Sequence, residues 1–324
     1  MNKLNFPVFT ISLDFELMWG VFEKKDIKKY GKNIKGGNVA ILKILELFND
    51  YNIHATWAVV GMLYYDNLKK LVNDIPKNIP DYKDPNLSSY NHINTLNNRL
   101  YLEYYSAKNL IKQIKKTKFQ EIATHTFSHF YCLEKNFNLN SFNEDINLAI
   151  KKAKDEGIEV KSIIFPRNQY NQEVLIKCYQ NGINAFRGNE KNFLQKPRNQ
   201  NKLNLFIRII RYLDSYFNIT GFNIYDTIEK TSSKLFDIPA SYFFRPYGRI
   251  TFLEKLKIIR IKKAMLSAAK NNKLFHIWWH PHNFGSNIEN NILQLKEVLE
   301  YYIFLNKKYG MKSLNMNDLL SKFQ

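Results

Sequence analysis

Two imidazoles four residues apart, in His125-Thr-Phe-Ser-His129, are the side chains of this sequence best placed to do chemistry. On a helical turn, positions i and i+4 share a face, so both rings can reach one metal ion. A zinc protease would carry its catalytic glutamate directly after the first histidine; Thr126 stands there instead, so a base must come from another segment. Asp14-Phe15-Glu16 offers two carboxylates after an apolar run at residues 8–13. Two histidines and one carboxylate form a three-ligand zinc set with a position open to water, and a second carboxylate nearby can take that water's proton. A further segment, His276-Ile-Trp-Trp-His280-Pro-His282, also closes an apolar run. Five of the seven histidines fall in these two histidine segments, a clustering that core packing does not account for. Taken singly the pieces are weaker, since H-x-x-x-H arises by chance and an Asp-x-Glu pair is more often a solvated loop.

The chain has 324 residues, 45% hydrophobic and 15% aromatic, enough to bury a core as one large domain or two ordinary ones. No apolar stretch reaches membrane-spanning length; the longest, residues 53–65, is interrupted by His54 and Gly61. The N-terminus lacks the basic and apolar segments of a secretory signal, and Cys132 and Cys178 make no disulfide framework. Both features predict a cytoplasmic location. The net charge of +19 favours anionic partners, namely phosphorylated or nucleotide-linked sugars or an acidic membrane face. A chain-wide abundance of Lys, Asn and Ile is a compositional explanation of the same charge. No nucleic-acid-binding motif is present, so nucleic acid is not an expected partner.

Hydrophobic periodicity predicts strands near 8–13, 53–60, 119–124, 160–165, 183–187 and 274–279. Helical periods lie between them, near 38–50, 106–116, 172–181 and 288–307, and one near 141–156 opens on a capping box, Ser141-Phe-Asn-Glu144. Residues 74–100 read as an excursion. Residues 191–273 break the rhythm and hold two basic amphipathic helices, near 203–217 and 250–272. Repeated βα units predict a parallel sheet. Asp14, Glu16, His125, His129, Arg167, Arg187 and His280 all fall at the ends of different strands, where a βα barrel gathers its active site. An open doubly wound sheet would need a Gly-rich first turn, which the stretch from Asp14 to Gly20 lacks, so a barrel is expected.

The order of these segments resembles the polysaccharide deacetylase family, a carbohydrate esterase type built on the NodB-homology domain, over roughly residues 5–190 and 270–320. The resemblance implies an α/β fold: a distorted (β/α)7-type barrel, one domain over residues 1–324, with a helical insertion at about 191–273 before the last catalytic strand. It implies Asp14 as general base and Glu16, His125 and His129 as ligands of a divalent metal, zinc being the ion that suits such a set. Arg167, in Pro166-Arg167-Asn168-Gln169, would pair with Asp14 and orient it, and His280 would be the general acid. Asn168, Tyr170 and His282 are the expected substrate contacts, with Pro281 turning His282 outward. The sequence departs from the family in three ways. Phe15 separates the two acids and the second is Glu; Arg167 lacks a following proline; and the acidic-aromatic motif is missing, with Arg187 near its place. A rival arginine, in Phe244-Arg245-Pro246-Tyr247-Gly248, lies far downstream and reads as a decoy or a substrate contact.

The activity so implied is metal-dependent removal of an N-acyl group, N-acetyl first, from an amino sugar in a glycan or glycan precursor of cell-surface polysaccharide biosynthesis. The substrate could be nucleotide- or lipid-phosphate-linked. The alternatives are a same-scaffold, allantoinase-like hydrolase of a small non-glycan C–N bond and a metal- or glycan-binding protein without turnover. Of the two strand-end tryptophans, Trp278 and Trp279, alternation sends one inward and one to the helices. The insertion carries Arg208, Arg211, Arg249, Arg260, Lys262 and Lys263 beside Ile209, Ile210, Leu256, Ile258 and Ile259. That face predicts peripheral contact with an anionic membrane at its cytoplasmic side or, with equal weight, packing of the apolar stripe onto the barrel.

Overall fold

The computed structural model describes residues 2–192, 194 and 205–323. Its strands are β1 (Asn2–Lys3), β2 (Val8–Phe15), β3 (Ala55–Val59), β4 (Gln120–Thr124), β5 (Ser162–Ile163), β6 (Ala185–Gly188), β7 (Thr227–Lys230), β8 (Phe236–Pro239), β9 (Tyr242–Phe243), β10 (Leu274–Trp279) and β11 (Lys312–Ser313). The helices are α1 (Ile27–Asp50), α2 (Leu68–Asn73), α3 (Ser89–Ile93), α4 (Asn98–Tyr104), α5 (Lys108–Lys116), α6 (Leu139–Asp155), α7 (Gln172–Gln180), α8 (Leu205–Phe217), α9 (Thr251–Lys270), α10 (Ile288–Tyr309) and α11 (Met316–Leu320).

From β2 the sheet runs parallel through β3, β4, β5 and β6 on one side and into β10 on the other. One extended stretch then serves both edges: β8 pairs with β6, and β9, two residues later, pairs with β10. The hand-over is at Ala240, whose N–H donates to the Gly188 carbonyl at 2.9 Å, and Ser241, whose N–H donates to that of His276 at 2.8 Å. The strands therefore ring an interior in the manner of a (β/α) barrel, although the hydrogen-bond ladder does not close the circle. Residues 191–273 are thus more than a helical insertion, since they supply the strand that bridges the two edges. Four-residue β8 and two-residue β9 are too short to show as a period-2 pattern.

Alternation along β2 and β10 sorts the side chains. Phe9, Ile11, Leu13 and Phe15, with Phe275, Ile277 and Trp279, belong to the apolar layer beneath the helices. Ser12 and Asp14, with His276, belong to the polar interior. The two tryptophans divide as alternation requires. Trp279 stacks on Phe284 with ring centroids 5.5 Å apart, whereas Trp278 lies 4.1 Å from the Arg187 guanidinium.

Two helices start elsewhere than their sequence signals suggest. Helix α1 begins eleven residues before the expected position 38, capped by Asp26, whose side chain accepts the Lys28 N–H. It runs through Gly36 and Gly37 because they allow a close approach: a Cβ on Gly37 would lie 2.7 Å from the His282 Cα. Helix α6 is capped by Asn138 and not by Ser141, which sits inside the helix and donates its hydroxyl to the Ile79 carbonyl. No helix among the described residues is long and apolar enough to cross a membrane. Residues 203 and 204, expected in the first insertion helix, lie outside the described residues.

Candidate active site

Glu16, His125 and His129 converge at the strand ends, with one donor atom from each lying within 4.8 Å of the others. The two histidines meet without a helix. Thr126 and His129 have positive φ, 63° and 59°, and this left-handed turn brings the rings to a centroid distance of 5.1 Å. Such conformations strain a β-branched residue, and the surroundings hold them in place. The N–H of His125 donates to Val59, and the Thr126 and Phe127 carbonyls accept from Gly61 and Met62. Buried Asp145 on α6 accepts the N–H groups of Phe127 (2.7 Å) and Ser128 (3.2 Å) and the hydroxyls of Ser128 and Tyr90. Burial pushes the Asp145 carboxyl up to about 6. Gly20 leaves room for Glu16, since a Cβ there would fall 1.9 Å from its Oε1.

The donors fit a divalent cation. His125 Nδ1 lies 2.8 Å from the Ile164 carbonyl, which can only accept, so Nδ1 carries the proton and the Nε2 lone pair is left bare. That Nε2 is buried, 3.3 Å from Glu16 Oε2, and makes no hydrogen bond. Two lone pairs facing each other at this distance call for a cation between them. Burial alone would raise the Glu16 carboxyl, but neighbouring His280 and His129 outweigh it and hold Glu16 well below the usual carboxylate range. Burial lowers His129. An ionised carboxylate and a neutral imidazole are the forms that ligate.

Asp14 sits beside this cluster in the fork of an arginine. Arg187 Nη1 and Nη2 donate to its two oxygens at 2.6 and 2.8 Å. Burial would raise Asp14, yet Arg187 more than offsets it and keeps the carboxyl low. Arg187 is itself fixed by Ser12 Oγ (3.1 Å) and Asn168 Oδ1 (3.0 Å), with the Trp278 ring against its face. His276 completes the network through Ser12 at 2.8 Å and is pushed down to about 3, first by burial and then by Arg187.

The expected pairing of Arg167 with Asp14 is not what the structure has. Arg167 forms ion pairs with Glu23 and with Glu134 (3.3 Å) and lies over the Tyr131 ring at 3.7 Å. Arg167 and Asn168 both have φ near 54°, and this turn delivers Asn168 to Arg187 while Arg167 goes to the two glutamates. Tyr170, expected at substrate, packs on Phe165 and Phe186, and its hydroxyl accepts the Asn189 N–H at 3.4 Å. His282 also departs from expectation. It points inward, 2% exposed, with Nε2 4.0 Å from Glu16 Oε1, and burial pushes it down to about 4. The short turn Pro281–Gly285 seats it against the glycines of α1.

His280 is the open histidine of the set, 25% exposed, with Nε2 3.6 Å from Glu16 Oε1 and 3.8 Å from Asp14 Oδ2. Its Nδ1 is 3.4 Å from the Asn283 amide nitrogen, and the Tyr30 hydroxyl donates to Asn283 Oδ1 at 3.2 Å. With the amide so oriented, Asn283 donates to Nδ1, which leaves the His280 proton on Nε2, facing the two carboxylates. Burial raises Tyr30 to about 12, so it stays a phenol donor. No sequence signal marked Tyr30, Asn283 or Asp145 as supporting groups. Arg187 was visible only as an arginine at a strand end.

No family profile and no curated protein matches this sequence. Solved structures do. A protein described as a polysaccharide deacetylase from Mycobacterium smegmatis aligns with TM-score 0.59 and 11% identity, covering 99% of this chain and 93% of that one. The α-amylase AmyC from Thermotoga maritima aligns at TM-score 0.53 and 13% identity, covering 97% of this chain and 74% of its own. A 4-α-glucanotransferase from Thermococcus litoralis aligns at TM-score 0.53 and 13% identity, covering 100% of this chain and 41% of its own. At such identities the likeness is one of fold, and in fold this chain resembles polysaccharide deacetylases.

Proposed function

We propose that this chain is a metal-dependent hydrolase that removes an N-acyl group, acetyl first, from an amino sugar of a glycan or glycan precursor. The observation that carries the reading is the convergence of three unlike parts: the Glu16–His125–His129 cluster, the Asp14–Arg187 pair, and the Nε2–H of His280. In this reading Asp14 takes the proton of the water that attacks the acyl carbon, and Arg187 keeps it ionised and aimed. His280, acting as the doubly protonated imidazolium, hands its Nε2 proton to the departing amine and is left a neutral imidazole, producing a carboxylate and a free amino sugar. Zinc held by Glu16, His125 and His129 would supply Lewis acidity for the water and the carbonyl. Asn168 takes part by bracing Arg187.

The amylase-like neighbours raise glycosidic cleavage as a rival. That chemistry needs one carboxyl held protonated as the acid. Asp14 and Glu16 are both shifted to the ionised side, which favours acyl transfer with a histidine acid. The small C–N bond reading and the reading without turnover are separated by substrate. Purified protein given N-acetylated sugars should release acetate, stop with a chelator and resume with zinc. Release from small ureides alone would support the allantoinase-like alternative, and bound metal with no release would support the binding protein.

The 205–270 region supports a peripheral role. Along α8, Phe206, Ile209, Leu213 and Phe217 form one stripe and are all exposed. Arg208, Arg249 and Lys263 of the same region are exposed and add positive charge to its surface. This stripe would seat on an anionic membrane surface.

A further inference from the structure

A pocket of about 210 Å³ opens beside His280 and Trp278, walled by β9, α8 and α9. Three arginines line it: Arg211, Arg245 and Arg260, facing Asp214 and Glu190. Arg260 is committed, since its Nη2 donates to Asp214 at 3.1 Å. Arg245 is held differently. Its Nε donates to the Ser215 hydroxyl at 2.5 Å, its guanidinium lies 5.3 Å from the Tyr212 ring and 5.8 Å from the Phe243 ring, and no carboxylate among the described residues pairs with it. Burial pushes Glu190 up to about 8, so near pH 7 it is mostly protonated and leaves Asp214 as the balancing carboxylate. Two buried donors of the lining residues, Arg260 Nε and Trp278 Nε1, have no hydrogen-bond partner among the described residues. Beside the committed Arg260–Asp214 pair, the Arg245 guanidinium, oriented by Ser215 and two rings and without a carboxylate of its own, describes a site for an oxyanion.

We propose that this pocket binds a phosphate carried by the substrate, so that the enzyme acts on an N-acylated amino sugar that is also phosphorylated. The proposal rests on reading the strand-end site as an N-acyl hydrolase. The Phe243 ring lies 5.7 Å from the His280 ring and 5.8 Å from the Arg245 guanidinium, so one aromatic ring separates the proton donor from the anion site. A sugar lying over Phe243 would present its amide to His280 and its phosphate to Arg245. The phosphate could belong to a sugar 1-phosphate, a nucleotide diphosphate sugar or a lipid-linked sugar, since all three offer the same oxygens to the fork.

Calorimetric titration of the purified protein with N-acetylglucosamine 1-phosphate and with uncharged N-acetylglucosamine tests this directly. The wild type should bind the phosphorylated sugar at least about tenfold more tightly, and Arg245→Gln should erase most of that ratio while Arg245→Lys keeps part of it. Arg245 is half-buried on a loop, and thermal melting confirms that both variants fold. Equal binding of the two sugars by the wild type overturns the proposal, as does a folded Arg245→Gln variant with an unchanged ratio. N-acetylmuramic acid binding as tightly as the phosphate would overturn it too, in favour of a carboxylate. UDP-N-acetylglucosamine and a short-chain polyprenyl diphosphate sugar, titrated in parallel, identify the source by the tighter arm. Binding is read without turnover, so a failure to release acetate would refute the hydrolase reading and leave the pocket's result standing.

Discussion

Two regions face each other across His280, and they are built on different principles. At the strand ends, the working groups come from short segments of chain: Asp14 with Glu16, and His125 with His129. The histidine segment is fixed through backbone, as when His125 Nδ1 meets the Ile164 carbonyl or Asp145 gathers the N–H groups of the loop, and Asp14 by the Arg187 fork. In the pocket on the other side the groups are scattered along the chain from Glu190 to Arg260, and those of the helical region meet because α8 packs on α9. Arg245 is held there by a single hydroxyl and two ring faces. Chemistry tolerates little misplacement, so it sits on the rigid ring. Recognition can use a looser wall, and the proposed phosphate site lies on one.

The largest effects should come from the rigid side. Asp14→Asn should lower acetate release by about a hundredfold or more, the range for losing a general base, with metal content unchanged by elemental analysis. Glu16→Gln and His125→Ala should instead lose metal as well as activity. Metal loss in Asp14→Asn with retention in Glu16→Gln would show that the two acids have exchanged roles.

Arg187 and Arg167 sharpen the comparison within the ring itself. Both are arginines in carboxylate pairs, Arg187 buried and Arg167 partly so, but only Arg187 touches Asp14. Arg187→Gln should cut activity nearly as far as Asp14→Asn, since it leaves the carboxylate buried without its counter-charge. Arg167→Gln should cost about 3 kcal/mol of stability, the scale for breaking a buried pair, and keep most activity at low temperature. Urea unfolding beside acetate assays decides it; a stable, inactive Arg167→Gln would restore the role the sequence motif suggests.

The same contrast explains what the sequence could and could not show. The acids and histidines of the site were legible because strand ends and i, i+2 or i, i+4 spacing are local signals. The turn that brings His125 to His129 was not, since it depends on two left-handed residues and not on a helix. Arg167 stood in the expected motif, yet whether it or Arg187 reaches Asp14 is decided by consecutive positive φ angles at 167 and 168. His282 was expected outward because Pro281 turns the chain; the close approach of the 281–285 turn to Gly36 and Gly37 reversed that. The bridging strands β8 and β9 were too short to carry a period, so the segment that completes the ring read as an interruption.

A smaller effect should separate the two sides of His280. His280→Ala should lower turnover by about a hundredfold as the loss of a general acid. Asn283→Ala only frees the imidazole to take the other tautomer and should cost about tenfold in kcat. Tyr30→Phe, one step further back, should cost still less. An Asn283→Ala enzyme with a wild-type kcat would mean that the Tyr30–Asn283 chain serves packing alone.

The smallest effect belongs to α8, where the looser region differs even from its own neighbour. Helix α9 buries Ile258, Ile261, Ala264, Met265 and Ala268, and Arg260 and Lys262 are paired with Asp214 and Glu297. Packing thus accounts for much of the basic, apolar pattern of that helix. On α8 it does not: Phe206 and Phe217 are 67% and 55% exposed, with Ile209 and Leu213 between them. A stripe of this kind gains little in water, and it gains more at an interface where apolar side chains enter beneath anionic headgroups. Vesicles containing phosphatidylserine should sediment the protein several-fold better than neutral ones. The preference should fade as salt rises and the Debye length falls below about 10 Å. Replacing Phe206 and Ile209 by serine should remove binding without lowering turnover of a soluble substrate, because both lie outside the pocket lining. Equal and negligible sedimentation with both vesicle types would leave the α8 stripe without a membrane partner and detach the anion-binding pocket from any lipid source of its phosphate.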